Sequence, residues 1–205
     1  MEWRGGAVEQ LTGGEWEVTD FHLVGGNDAV WYTSTEVEPA QRHLYRLERG
    51  GKRYKVTPGE GWYLSALSSD AKRAVVRYSN LKNPTDLYVI SSMKGIEVKD
   101  GSTEKTGKGY GKTGAIYEGA VWPLPEGLKR VTKSPAPDFY DLDIPVPQYV
   151  TMQSRLDGET IHGLFLLPPG LEQVDVENSY LGLDSRAEYP DHPVVVCVHG
   201  GGYSQ

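Results

Sequence analysis

The stretch VWYTSTEVEPAQRHLYRL (residues 30–47) returns in altered form as AVVRYSNLKNPTDLYVI (residues 74–90). Each copy has a run of β-branched and aromatic residues, a polar turn, and a second apolar run containing Leu-Tyr. Leu44-Tyr45 and Leu87-Tyr88 stand 43 residues apart. Upstream, GGAVEQLTGGEWEV (5–18) aligns with GGKRYKVTPGEGWYL (50–64), Thr12 leading Thr57 by 45 residues and Trp16 leading Trp62 by 46. A period near 45 is that of the four-stranded blades of a β-propeller. A β-sandwich with chance similarity is the alternative.

Working outward, alternating or continuous apolar runs predict strands at 15–22, 29–35, 42–48 and 51–57, then at 62–67, 73–79 and 86–91. Propeller blades often take their outer strand from the neighbouring repeat, so blade and repeat edges need not coincide. Asp70, after two serines, suits a tight turn in which its carboxylate accepts from nearby backbone N–H groups. Trp16, Trp31 and Trp62 read as packing residues. Glu36 and Glu38 read as a solvated hairpin rim in preference to a working carboxylate pair. After Ser92 the pattern decays. Residues 99–114 (KDGSTEKTGKGYGKTG) read as an exposed loop without the frame of a phosphate loop, and 126–137 (EGLKRVTKSPAP) as a linker.

Composition agrees with a strand-rich chain. Tyr and Trp number 13 and 5 and Gly 25, against 3 Phe. The net charge of −7 comes without a dense basic cluster, which argues against nucleic acid as a partner. The histidines (His22, His43, His162, His192, His199) are scattered without metal-ligand spacing, so neither a metal nor a cofactor is expected. Cys197 cannot form an internal disulfide and reads as a small buried hydrophobe. No run approaches the ~20 apolar residues of a membrane span, so no transmembrane segment is expected. MEWRGGAVEQ lacks the character of a signal peptide. Compartment and homo-oligomerisation are left open.

From Tyr149 the character changes. Strands are predicted at 148–154 and 160–167 around an Asp157-Gly158 turn, ending at Pro168-Pro169. Residues 194–198 (VVVCV) form a run expected of a strand buried on both faces, and His199-Gly200-Gly201-Gly202 follows it directly. Glycines there allow backbone N–H groups to approach a reacting atom and hold a developing oxyanion. HGGG is the form this loop takes in many lipases and esterases. His199 either orients the loop through its ring or lies at the oxyanion itself.

Taken in this order, the two halves resemble the prolyl oligopeptidase family of serine peptidases, most closely its dipeptidyl peptidase IV branch. The resemblance rests on LTGGEWEV (11–18), WYTSTE (31–36), HLYRL (43–47), DLYVI (86–90), FLLPPGL (165–171) and HPVVVCVHGGGYSQ (192–205). It implies a mainly β chain: a partial β-propeller over residues 1–140, then the first strands of an α/β-hydrolase domain over 141–205. It implies an oxyanion loop at His199, Gly200 and Gly201, with a peptide substrate. Serine, aspartate and histidine of the triad would follow that loop, and no Gly-x-Ser-x-Gly lies within the 205 residues. The chain is accordingly expected to be a piece of a longer peptidase, inactive by itself. His199 stands where the dipeptidyl peptidase IV branch has a tyrosine, which departs from a proline-directed dipeptidase. An HGGG-type esterase and a non-catalytic propeller binding module are the competing readings.

Overall fold

A computed structural model describes residues 6, 8–24, 29–81, 83–98, 125–142, 145, 147–166 and 195–197. The chain divides into two units, one of residues 1–106 and 121–139, the other of residues 107–120 and 140–205.

The described residues of the first unit form two antiparallel sheets. β1 (Val18–Leu23), β2 (Ala29–Ser34), β3 (His43–Glu48) and β4 (Arg53–Lys55) follow one another across the first. β5 (Trp62–Leu67), β6 (Ala74–Ser79) and β7 (Asp86–Ile90) do the same in the second. The chain then returns: β8 (Ile96–Val98) pairs with β4 as the fifth strand of the first sheet. β9 (Leu128–Arg130) pairs with β7 as the fourth strand of the second. These are meandering blades of a partial β-propeller, and the predicted strands from 15 to 91 are all present with ends shifted by a few residues. Two strands were not foreseen. β8 is short and exposed, and β9 sits inside the supposed linker, so neither offers the long alternation that marks a strand.

Pairing register fixes which side chains share a face. In the first sheet Tyr32 stands opposite Tyr45, and Trp31 opposite Arg46. In the second, Tyr63 stands opposite Tyr78 and Val76 opposite Tyr88. One core cluster joins Trp31, Leu44 and Val56 to Tyr63, Val76, Tyr78, Tyr88 and Ile90, packing the two sheets face to face. A second, smaller cluster of Tyr32, Tyr45 and Leu47 lies on the opposite face of the first sheet. Rings stack along both: Tyr32 on Tyr45 at 5.3 Å, Tyr63 on Tyr78 at 4.6 Å, and Tyr78 edge-on to Tyr88 at 5.5 Å. Such pairs add about 0.5–1.5 kcal/mol each beyond their buried area.

The preference for Tyr over Phe follows from where the rings end. Tyr63 and Tyr78 are fully buried, yet their hydroxyls donate to the backbone carbonyls of Pro58 and Glu60 in the loop before β5. That loop needs Gly61: its φ is +138°, and a Cβ there would lie 2.6 Å from the Ser79 carbonyl oxygen.

In the second unit β10 (Gln148–Gln153) and β11 (Thr160–Phe165) form the foreseen hairpin, Tyr149 paired with Leu164 and Gln153 with Thr160. Gly158 turns it with φ +77°, and Asp157 accepts from the Glu159 N–H at 3.1 Å. Of the run at 194–198, the described residues 195–197 depart from expectation. Val195, Val196 and Cys197 are exposed and outside any strand. A strand apolar on both faces is held by neighbours on both sides, and among the described residues none pairs with it.

Candidate functional site

His199, Gly200 and Gly201, expected from the sequence to form an oxyanion loop, lie outside the described residues. The polar chemistry that is described belongs to the blades, where three side-chain networks and one cleft stand out.

The first network is built on His43, fully buried at the start of β3. Its Nδ1 lies 2.9 Å from Thr57 Oγ1 and its Nε2 2.8 Å from Gln41 Oε1. Thr57 Oγ1 also accepts from the Leu44 N–H at 3.1 Å. One proton arrangement satisfies all three: Nε2–H donates to Gln41, and the Thr57 hydroxyl donates to an unprotonated Nδ1. Burial, then the nearby Lys55 charge, drives the pKa well below the usual histidine value, so the ring is neutral. With both nitrogens engaged and no exposure, His43 sets the β3 entry and does not transfer protons to a ligand.

The second network corrects the reading of Glu36. Its side chain is not a solvated rim: it is 11% exposed, ion-paired with Arg53, and accepts from the Tyr32 hydroxyl at 3.3 Å. Arg53 in turn lies over Trp16, its guanidinium carbon 5.9 Å from the ring centroid. Burial, with the Glu36 charge beside it, raises the Tyr32 pKa far above the usual phenol value. Trp16, Trp31 and Trp62 all serve packing, Trp62 beneath the Arg77 guanidinium at 5.3 Å.

The third network was not legible as a site. Asp86 begins β7, and its side chain is entirely buried. One carboxylate oxygen accepts from Arg130 Nε at 2.7 Å, from Arg130 Nη2 and from the Ser134 N–H at 3.3 Å. The other accepts from the Thr132 hydroxyl, from Ser134 Oγ at 3.0 Å and from the Leu87 N–H at 3.2 Å. Burial acts to raise the pKa, but the donors of Thr132, Arg130 and Ser134 outweigh it and bring the group to about 2. Asp86 thus clasps residues 130–134 onto the second sheet. A signal existed: Asp86 shares its parity with buried Tyr88 and Ile90, and a charge on the buried parity of a strand demands a partner.

The cleft, of about 490 Å³, opens between the sheets among Trp31, Arg46, Glu48, Arg49, Asp70 and Ala71. Arg46 is largely committed within the protein, donating to the Met93 carbonyl at 3.3 Å and to Glu48 at 3.1 Å while lying 4.5 Å from the Tyr54 ring centroid. Asp70 accepts from Ser68 Oγ at 2.7 Å and from the Lys72 N–H at 3.1 Å, as its turn position predicted. The lining charges balance, and the lining includes no serine, threonine, cysteine or histidine. Among the described residues no group of three or more His, Cys, Asp or Glu is placed to hold a metal, and no helix is long and apolar enough to cross a membrane.

Comparison with known proteins places this geometry. The family model described as the dipeptidyl peptidase IV (DPP IV) N-terminal region matches residues 1–85. Among solved structures, Porphyromonas gingivalis dipeptidyl peptidase 4 is similar over 80% of this chain, with a TM-score of 0.56 at 16% sequence identity. The chain spans 19% of that protein's length. Residues 1–85 are thus similar to the dipeptidyl peptidase IV N-terminal region, and the fold over most of the chain is that of this peptidase.

Proposed function

We propose that these residues are part of a serine-type peptidase that removes or cleaves short peptides through an acyl-enzyme. The observation that carries the reading is the family match over residues 1–85, made by a chain whose blades lead into a hairpin unit. On this reading residues 1–140 supply blades that limit access to the active site, and residues 141–205 begin the catalytic domain. The loop His199-Gly200-Gly201 supplies backbone N–H donors to the oxyanion of the tetrahedral intermediate, a contribution worth about 10²–10³-fold per donor. His199 is not the triad base, which in an α/β-hydrolase follows the nucleophile. Without a Gly-x-Ser-x-Gly nucleophile turn, residues 1–205 alone bind no acyl group and are inactive.

The test uses the product of the whole gene. Its coding sequence is read beyond codon 205, and the purified protein is labelled with a fluorophosphonate and assayed on dipeptidyl anilides. A labelled serine in a downstream Gly-x-Ser-x-Gly, with anilide release lost in a Gly201→Pro variant that still folds, is the expected result. A gene product that neither labels nor releases anilide refutes the peptidase reading.

A further inference from the structure

We propose that the seam between the two blades, at β2 and β5, is built to open, with unpaired hydroxyls lowering the work of opening it. Trp31, Thr33 and Leu44 share one face of the first sheet, since Thr33 stands opposite Leu44 and Trp31 is two residues away on the same strand. Tyr63, Ser65 and Val76 share one face of the second by the same rule. Trp31 and Leu44 pack with Tyr63 and Val76 in a single cluster, so Thr33 and Ser65 face into the seam. There Trp31 Nε1, Thr33 Oγ1 and Ser65 Oγ are buried with no hydrogen-bond partner among the described residues. The residues that carry them are only 3%, 2% and 5% exposed.

A buried polar group without a partner is destabilised in the closed state and recovers its hydration when the site opens. Three of them in one seam favour local separation of the sheets over an apolar seam of the same shape. The contrast lies farther out, where the Asp86 carboxylate has all its donors and holds its strand shut. Two backbone bonds cross from sheet to sheet and report on the seam: Arg42 N–H to the Gly61 carbonyl at 3.1 Å, and Tyr63 N–H to the Arg42 carbonyl at 2.9 Å. Both must break when the sheets part.

Amide hydrogen exchange at Arg42 and Tyr63, followed by NMR in the full chain, tests the proposal. Thr33→Val and Ser65→Ala remove a hydroxyl with little change of volume. Each is expected to slow exchange at these two amides by roughly tenfold, by removing one unpaired group from the closed state. Thr57→Val, which strips His43 and the Leu44 N–H of a bonded hydroxyl, is expected to do the reverse. If Ser65→Ala loosens its own strand, Thr33→Val decides alone, since valine is the better strand former. Unchanged or faster exchange in Thr33→Val overturns the proposal, because that hydroxyl would then be holding the seam together.

Discussion

Replacing Asp86 by Asn tests whether one carboxylate holds β9 and the chain that follows it. The amide keeps the shape but loses the charge, and it turns an NH₂ donor towards groups that are themselves donors: Arg130, Thr132 and Ser134. Breaking a buried ion pair from one side costs about 3–5 kcal/mol, most of it the penalty of the orphaned partner. Arg130 is 20% exposed and can recover some hydration, which points to the lower end, about 3 kcal/mol. That is a large share of a typical stability of about 5–15 kcal/mol. Urea unfolding followed by tryptophan fluorescence measures it, with amide exchange at Leu128–Arg130 reporting whether β9 leaves first. Arg130→Met and the double variant complete a cycle. The double variant should be less damaged than the sum of the singles, because neither partner is then left alone. The titration gives a second, independent signature. The carboxylate titrates near 3.8 unfolded and about 2 folded, so the unfolded chain binds the extra proton between those values. Stability from this group is complete above about pH 4 and is lost as pH falls towards 2, a loss the Asn variant should not show. An Asp86→Asn protein within 1 kcal/mol of wild type, with strictly additive partners, would refute the clasp.

Other consequences are as direct. His43 is held neutral with its pKa far below the usual 6.5, so the unfolded chain takes up a proton that the folded chain refuses; stability should decline as pH falls below 6.5, and a His43→Gln variant should flatten that slope in urea titrations at pH 7 and 5. Gly61→Ala should cost at least ~2 kcal/mol in thermal unfolding, since the new Cβ meets the Ser79 carbonyl at a backbone angle that disfavours side chains. Arg53→Met should leave Glu36 buried without its cation and destabilise by about 3 kcal/mol, with Glu36→Gln/Arg53→Met together costing less than the sum by the same assay.

How much of this was legible in the chain depended on length and parity. The six-residue strands β2, β3, β5 and β6 could be read because each shows enough alternation or β-branched content to set a period. β8 and β9 could not: three residues set no period, and unlike the equally short β4 they lie outside the 45-residue repeat, held by partners far along the chain. Glu36 was misread because it sits in a turn beside Glu38 and Pro39, while its cation, Arg53, comes 17 residues later. The Asp86 clasp joins positions 44–48 residues apart, and only its parity within β7 betrays it. The proposed oxyanion loop rests on sequence alone, a histidine and glycines after an apolar run, and lies outside the described residues.

The return of the chain through β8 bears on how the protein emerges from the ribosome. β4 ends at Lys55 and its outer neighbour does not begin until Ile96, roughly 40 residues later. At synthesis rates of about 5–20 residues per second, β4 stands as a bare edge for some ~2–8 seconds, while the second sheet is still being made. Arg53 and Lys55 on that strand are the kind of charged side chains that keep an open edge from pairing with a neighbouring chain. The first blade is therefore finished only after most of the second has been translated, and a ribosome that stalls between residues 55 and 96 leaves an unfinished sheet whose open edge is guarded only by those charges.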